Sequence, residues 1–306
     1  MKKVMLLFVL ALAPFMFFGC GSSEYGLDGE FTAYEIGEHS EAPMVTMVTV
    51  TIEDGEIVDY YIDARQGEWV EGTPVWNEET KKELEEDYGM DDYSDSERDW
   101  YLQAQDIEDY WLENGVDELQ LETDEDNYIT NVSGVTIKDG GYSDLAQEAV
   151  ELAKEGTIQA VICGQGHSGP DISSVELTLD ENGDVTDIVF DVLQSSYDAD
   201  EETFTWNDET KQELGDDYGM KGVGNGYDFV DGAWVESDEK ADLEWYEQAE
   251  LISDYVLENG YDEDLQALAG RGGSLDGDTL VDGLAGVTIH SGTFYDLLHK
   301  AYDKIG

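Results

Sequence analysis

Two stretches of the chain alternate apolar and polar residues with the period of a half-buried β-strand. Thr46 to Ile52 alternates, turns at Asp54-Gly55 and returns through Ile57 to Ile62. Val175 to Leu179 alternates, turns at Asn182-Gly183 and returns through Val185 to Val192. Asp-Gly and Asn-Gly between apolar runs favour tight turns whose twist matches that of the strands, so each stretch predicts a hairpin. The period then lengthens. Trp100 to Leu112 sets Ala104, Ile107 and Trp111 on one helical face, and Trp245 to Leu257 does the same with Ala249, Ile252 and Val256. A last amphipathic helix is predicted in each half. Leu145, Ala149, Leu152 and Ala153 mark the first, which stops at Gly156. Phe294, Leu297, Leu298, Ala301, Tyr302 and Ile305 mark the second.

The halves are two copies of one plan. Trp76-Asn77-Glu78-Glu79-Thr80-Lys81 recurs as Trp206-Asn207-Asp208-Glu209-Thr210-Lys211, and Asp87-Tyr88-Gly89-Met90 as Asp217-Tyr218-Gly219-Met220. Trp100-Tyr101-Leu102-Gln103-Ala104 recurs as Trp245-Tyr246-Glu247-Gln248-Ala249. The Trp-Asn-x-x-Thr-Lys run is charged and helix-favouring, and Tyr-Gly-Met breaks it. The second copy gains residues around Val223 to Lys240, and more before Asp282. Both gains are rich in Gly and Asp and read as surface loops. The boundary between copies falls near Gly156 with no long linker, which gives units of 31–156 and 157–306 after a short tether.

The copies also share a loop. Thr130-Asn131-Val132-Ser133-Gly134-Val135-Thr136-Ile137 answers Asp282-Gly283-Leu284-Ala285-Gly286-Val287-Thr288-Ile289, and a helix pattern follows each. Spacing alone favours a buried turn capped by its Thr. A second reading is a phosphate attachment site. Gly134 and Gly286 lack the β-carbon that would block a phosphoanhydride from the backbone, and a helix N-terminus favours the bound anion. Recurrence of the loop in both copies strengthens the second reading.

Fourteen Lys and Arg stand against 74 Asp and Glu, a formal charge of −60. Such a chain repels nucleic acid phosphates and anionic lipid surfaces, so nucleic acid is excluded as a partner. High charge also accompanies disorder, but seven Trp and regular apolar patterns argue for packed cores and a solvated acidic exterior. At the N-terminus Lys2-Lys3 precedes an apolar run from Val4 to Phe18, shorter than a comfortable membrane span. The run ends Phe17-Phe18-Gly19-Cys20 and resembles a bacterial lipoprotein signal. That resemblance implies removal of 1–19, lipidation of Cys20, a tether over 20–30 and anchoring at the extracellular face of the cell membrane. Cys163 then has no intramolecular disulfide partner.

Together the repeated runs and the two loops resemble the FMN-binding-domain lipoproteins of Gram-positive extracellular electron transfer. They are more distantly similar to the flavin-carrying subunits of Rnf and sodium-pumping quinone reductase complexes. In that family a motif of type Asp-x-x-(Ser/Ala/Thr)-Gly-Ala-Thr marks the flavin-bearing Thr. Asp282, Ala285, Gly286, Val287 and Thr288 match it with Val in place of Ala. Ser133, Gly134, Val135 and Thr136 match its core, with Thr130 where the acid stands. The resemblance implies an α+β fold of two tandem FMN-binding domains, each an antiparallel sheet with packed helices. It implies up to two FMN, each joined to a Thr by a phosphoester that an FMN transferase makes. It also implies electrons received from a membrane quinone-linked dehydrogenase and passed to external acceptors such as ferric iron or soluble flavins. The chain is then a carrier more than a stand-alone enzyme, with ferric or flavin reductase activity as a side property. An isoalloxazine ring needs a flat, mostly apolar slot. Trp76 and Trp206, Tyr88 and Tyr218, and Met90 and Met220 are the candidates for it, beside their ordinary use in packing.

Other signals carry less. Gly164-Gln165-Gly166-His167-Ser168-Gly169 has dinucleotide-loop spacing, but Pro170 and another strand follow it instead of a helix. His39-Ser40 and His167-Ser168 occupy equivalent places before the hairpins and read as turn residues. Acidic runs at 91–95 and 180–184 lack the spacing of a calcium loop. Two other readings of the whole chain remain open: an acidic surface-binding lipoprotein module that uses the same fold without flavin, for a ligand, peptide or calcium, and a protein that binds flavin without a covalent bond.

Overall fold

A computed structural model describes residues 25–90, 98–166, 168–223, 227–230, 233–236, 240–261, 287, 289 and 292–306. The signal segment with Cys20, the acidic run at 91–95, His167 and most of the second Gly-Val-Thr loop lie outside the described residues.

The first predicted hairpin is the middle of a larger sheet. β1 (Gly29–His39), β2 (Ala42–Glu53), β3 (Glu56–Val70) and β4 (Thr73–Trp76) pair antiparallel in chain order. Asp54 and Gly55 both take positive φ, 54° and 75°, as the Asp-Gly signal predicts. Val48, Val50 and Ile52 point into the core while Thr49 and Thr51 face outward, the period-two pattern that revealed the strand. β5 (Thr157–Gln165), β6 (Pro170–Leu179), β7 (Val185–Asp198) and β8 (Thr203–Trp206) repeat the arrangement. The outer strands β1, β4, β5 and β8 went unpredicted. β1 and β5 mix inward Gly, Thr and Gln with their apolar residues, which blurs the alternation. The tether expected over 20–30 is engaged before it ends: Tyr25 is buried and Gly29 opens β1.

Helices cover one face of each sheet. In the first unit a one-turn helix, α1 (Lys81–Leu84), is followed by α2 (Trp100–Asn114) against β3 and α3 (Tyr142–Glu155) across β1 and β2. In the second, α4 (Lys211–Leu214), α5 (Trp245–Asn259) against β7 and α6 (Gly292–Tyr302) across β5 and β6 repeat the plan. The predicted stop at Gly156 holds. It caps α3 in the left-handed region at φ 70°, and Thr157 begins β5 directly. The fold is therefore α+β, with two curled four-stranded antiparallel sheets and their helices, an arrangement that suggests two tandem domains. One gain of the second copy departs from its reading as loop. β9 (Tyr227–Val230) and β10 (Ala233–Glu236) pair antiparallel, as their aromatic and β-branched residues Tyr227, Phe229, Val230, Trp234 and Val235 favour. Among the described residues no helix is long and apolar enough to cross a membrane.

The two units meet through an exchange of like groups. Trp76, ending β4, donates its indole N–H to the carbonyl of Gly164 on β5 at 3.0 Å. Trp206, ending β8, donates to the carbonyl of Gly37 on β1 at 2.8 Å. The indole rings lie 6.2 Å apart and enclose a small apolar cluster of Val45, Val161 and Ile172. The C-terminal residues close the same seam. Lys304 Nζ donates to Thr32 Oγ1 at 2.5 Å and to the carbonyl of Gln159 at 2.8 Å, and Lys300 Nζ donates to the carbonyl of Val161 at 3.0 Å. Burial pushes the Lys304 ammonium down to about 7.

The copies differ below the sheet. Glu108 on α2 is buried and accepts from Ile62 N at 2.5 Å and Lys82 Nζ at 2.6 Å. In the second unit the corresponding residues are Ser253 and Gln212, which bond instead to the carbonyls of Ala249 and Phe190. A buried charge needs its partner, so the first unit keeps both members and the second neither.

Two outcomes follow for stability. Trp76→Phe and Trp206→Phe each remove one indole N–H and strand a carbonyl, and each is expected to cost about 0.5–1.5 kcal/mol in chemical denaturation. Burial raises the carboxyls of Asp63, Glu108 and Asp171, so the folded state holds their protons more tightly than the unfolded chain. Their contribution is complete below the unfolded carboxylate range near about 4 and is lost as pH rises through the folded values. Acid also relieves the self-repulsion of the −60 charge. The melting temperature should therefore rise as pH falls from about 7 to about 5, and a differential scanning series checks the sign.

Candidate functional site

The repeated Thr-Lys run builds one wall of the site. Thr80 caps α1 with a reciprocal box: Thr80 N donates to Glu83 Oε2 at 2.8 Å, and Glu83 N donates to Thr80 Oγ1 at 3.3 Å. Asp63 on β3 accepts Lys82 N at 3.1 Å and pins the turn to the sheet. Thr210, Glu213 and Asp191 repeat the device around α4. So held, Lys81 places its ammonium 5.2 Å from the ring centres of both Tyr88 and Trp100. Lys211 stands 5.2 Å from Tyr218 and 5.3 Å from Trp245. Aromatic faces attract a cation through their quadrupole. Burial nevertheless pushes the Lys81 ammonium down to about 8, and lowers that of Lys211. Tyr88 donates to Gln66 Oε1 at 3.3 Å, and Trp100 donates its indole N–H to the Tyr142 hydroxyl at 3.2 Å. Burial pushes that hydroxyl up to about 12.

One helical turn beyond Trp100, Gln103 points the same way and is fully buried. Its Nε2 donates to the carbonyl of Arg98 at 2.9 Å and reaches Met90 Sδ at 3.9 Å. Its Oε1 accepts Thr136 N at 2.7 Å and Thr136 Oγ1 at 3.2 Å. The Gly-Val-Thr loop is thereby tied to the wall. Val132, Val135 and Ile137 sink into the core, while Ser133, Gly134 and Thr136 are exposed. The loop is thus buried through its apolar residues, while its Thr faces solvent. Gly134 has φ 88°, and a β-carbon there would stand 2.5 Å from Arg98 Nη1. The Arg98 guanidinium thus lies over the loop backbone, where it is also paired with Asp106. Thr130, standing where the related motif carries an acid, bonds through its own N and Oγ1 to the carbonyl of Glu122.

The second unit repeats what can be described. Gln248, fully buried, donates to the carbonyl of Leu243 at 3.1 Å, reaches Met220 Sδ at 3.5 Å and accepts Ile289 N at 3.1 Å. Val287 packs against the core. Asp282, Ala285, Gly286 and Thr288 lie outside the described residues.

Of the sequence-predicted residues, Tyr88, Met90, Ser133, Gly134, Val135 and Thr136 join through Trp100 and Gln103. Tyr218, Met220 and Val287 gather around Trp245 and Gln248 in the same way. Trp76 and Trp206 are placed elsewhere, in the seam between units. Gln103 and Gln248, Lys81 and Lys211, and Trp100 and Trp245 were not singled out from the sequence, although each stands in a repeated run and recurrence was the available signal. Arg98 has no such signal, because Leu243 occupies its place in the second copy. The arrangement offers an exposed hydroxyl on a fixed loop, a cation beside it and a mixed aromatic, thioether and amide wall behind. These residues fit a phosphoester-linked planar group. A separate open cleft of about 430 Å³ lies where the two hairpin turns meet Gly306. Its walls carry Asp28, Asp54 and Glu181, which disfavour a phosphate there.

No family model and no curated protein matches the chain. Among solved structures, the solution NMR structure of a structural-genomics target from Clostridium thermocellum is similar at 25% identity. The match covers 42% of this chain and 92% of that one, with a TM-score of 0.30.

Gly134→Ala tests the loop. The new methyl meets both an unfavourable φ and the Arg98 guanidinium, so a loss of about 1–3 kcal/mol is expected in thermal or chemical denaturation.

Proposed function

We propose that the protein is a membrane-tethered electron carrier that holds FMN through phosphoesters on Thr136 and Thr288. The observation that carries this reading is the exposed Thr136, fixed by Gln103 on a loop crossed by the Arg98 guanidinium, beside a wall of Met90, Trp100, Tyr88 and Lys81. The same wall stands in the second unit as Met220, Trp245, Tyr218 and Lys211. A turn used only for packing has no need of that wall twice.

Bound in this way, FMN would supply reversible acceptance of one or two electrons. The chain's own residues would do the rest. Gly134 leaves room for the Arg98 guanidinium to lie over the loop backbone. Arg98 balances phosphate charge, which matters in a protein of net charge −60. Tyr88 and Met90, half-buried and backed by the buried Trp100, would offer the apolar contact that an isoalloxazine ring needs. Surface carboxylates raise the energy of added negative charge and so favour a strongly reducing carrier. The lipid on Cys20 would hold both units at the extracellular face of the membrane. There they would receive electrons from a quinone-linked dehydrogenase and yield them to ferric iron or soluble flavins, after an FMN transferase has loaded them.

The test is the intact mass of the mature chain, co-expressed with a flavin transferase and extracted in detergent. Two FMN increments are expected, one lost with Thr136→Ala and the other with Thr288→Ala. A chain that gains no increment while a control substrate is loaded would overturn the proposal and leave the acidic binding module. Flavin released on denaturation would replace the covalent link with simple binding.

A further inference from the structure

Gln103 does more for Thr136 than the loop's stability requires. Its carboxamide has one orientation that satisfies the surroundings. Nε2 faces two acceptors, the Arg98 carbonyl at 2.9 Å and Met90 Sδ at 3.9 Å, while Oε1 faces the Thr136 N–H at 2.7 Å. Turning the amide over would set donor against donor at Thr136 and acceptor against acceptor at Arg98. The oxygen is therefore a fixed point, buried where solvent cannot compete for it. Holding the backbone needs only the bond to Thr136 N. The second bond, from Thr136 Oγ1 at 3.2 Å, acts on the exposed side chain itself and favours the staggered rotamer that reaches Gln103.

From this geometry, and resting on the function proposed above, we infer that Gln103 is the positioning residue for phosphoester formation at Thr136. The reaction is attack by Thr136 Oγ on the phosphorus of a flavin donor whose phosphate is in an anhydride. The Oγ–P bond forms as the bridging P–O bond breaks. The departing nucleotide phosphate keeps the electron pair, and the hydroxyl proton passes to a base of the transferase. Gln103 cannot take that proton, since an amide oxygen is too weak a base. Its part is to accept the hydrogen of Oγ–H, so that the lone pairs of Oγ turn outward toward the donor. Gln248 holds the backbone one residue beyond Thr288 through Ile289 N, from the same place on its helix and against the equivalent methionine.

The two sites control for each other within one chain. The full mature protein is incubated with transferase and flavin donor, and loading of the Thr136 and Thr288 peptides is followed separately by mass spectrometry. Gln103→Met keeps the length and apolar bulk of the side chain but removes its oxygen. Loading of Thr136 is expected to slow about tenfold or more while Thr288 keeps its rate, as loss of one orienting contact at a reacting group predicts. Gln103→Glu restores an acceptor oxygen at the same reach and, with its buried carboxyl held neutral, donates to the Arg98 carbonyl as the amide does, so it should recover most of the rate. Thr136 loading at the wild-type rate in Gln103→Met would overturn the inference and leave the flavin reading intact. Equal failure of Gln103→Met and Gln103→Glu, with the melting transition of both close to wild type, would also overturn it. Loading of neither peptide in the wild-type chain would remove the function proposal itself.

Discussion

Each unit of this protein lends the other an indole N–H, and the position of everything else follows from that exchange. β1 and β5 are edge strands, and edge strands left open invite pairing with other chains. Trp76 and Trp206 engage those strands by donating to Gly164 and Gly37. Both indoles sit at the ends of the short strands β4 and β8, just before the capping boxes that place Lys81 and Lys211. The contact that joins the units is therefore continuous in sequence with the wall beside the first Gly-Val-Thr loop and with its counterpart in the second unit. Lys304 then ties the last residues of the chain across the same seam, to Thr32 in the first unit and Gln159 in the second, while Lys300 bonds to Val161 within the second.

Charge is distributed to the same end. Described cations are held close to particular structural groups while the carboxylates crowd the surface. Lys82 neutralises the buried Glu108, and Arg65 donates to the carbonyls of Asn77 and Glu78 beside the seam. Lys81 and Lys211 lie against aromatic faces, and Arg98 lies over Gly134. An exterior of nearly uniform sign stays hydrated and resists association. The two loops are not electrostatic twins, however. The first has Arg98 and lacks the motif's acid, and the second has Asp282 and carries Leu243 where Arg98 stands.

The proposed carrier makes this layout intelligible. A group attached to an exposed hydroxyl needs the attachment point fixed and the neighbouring wall ready before loading, because ordering either one later opposes the reaction. Gln103 supplies the first condition and the capped Lys-Tyr-Trp cluster the second. Both rest on residues that the chain carries twice.

Local chemistry made much of this readable from the sequence. The hairpins at Asp54-Gly55 and Asn182-Gly183, the faces of the four long helices, the stop at Gly156 and the repeat itself are set by interactions among residues close along the chain. Their periods and turn residues record them directly. The outer strands were less readable, because β1 and β5 mix Gly, Thr and Gln with their apolar residues and β4 and β8 are only 4 residues long, too short to show a period. The hairpin of β9 and β10 was masked by the Gly and Asp around it. Only the tertiary structure separated residues that look alike in the repeat. It sent Trp76 and Trp206 to the seam, kept Tyr88 and Met90 beside the loop, and brought Gln103 to Thr136 across 33 residues. Recurrence marks a residue as constrained. Which surface constrains it depends on how sheets and helices fold together, and no local period carries that information.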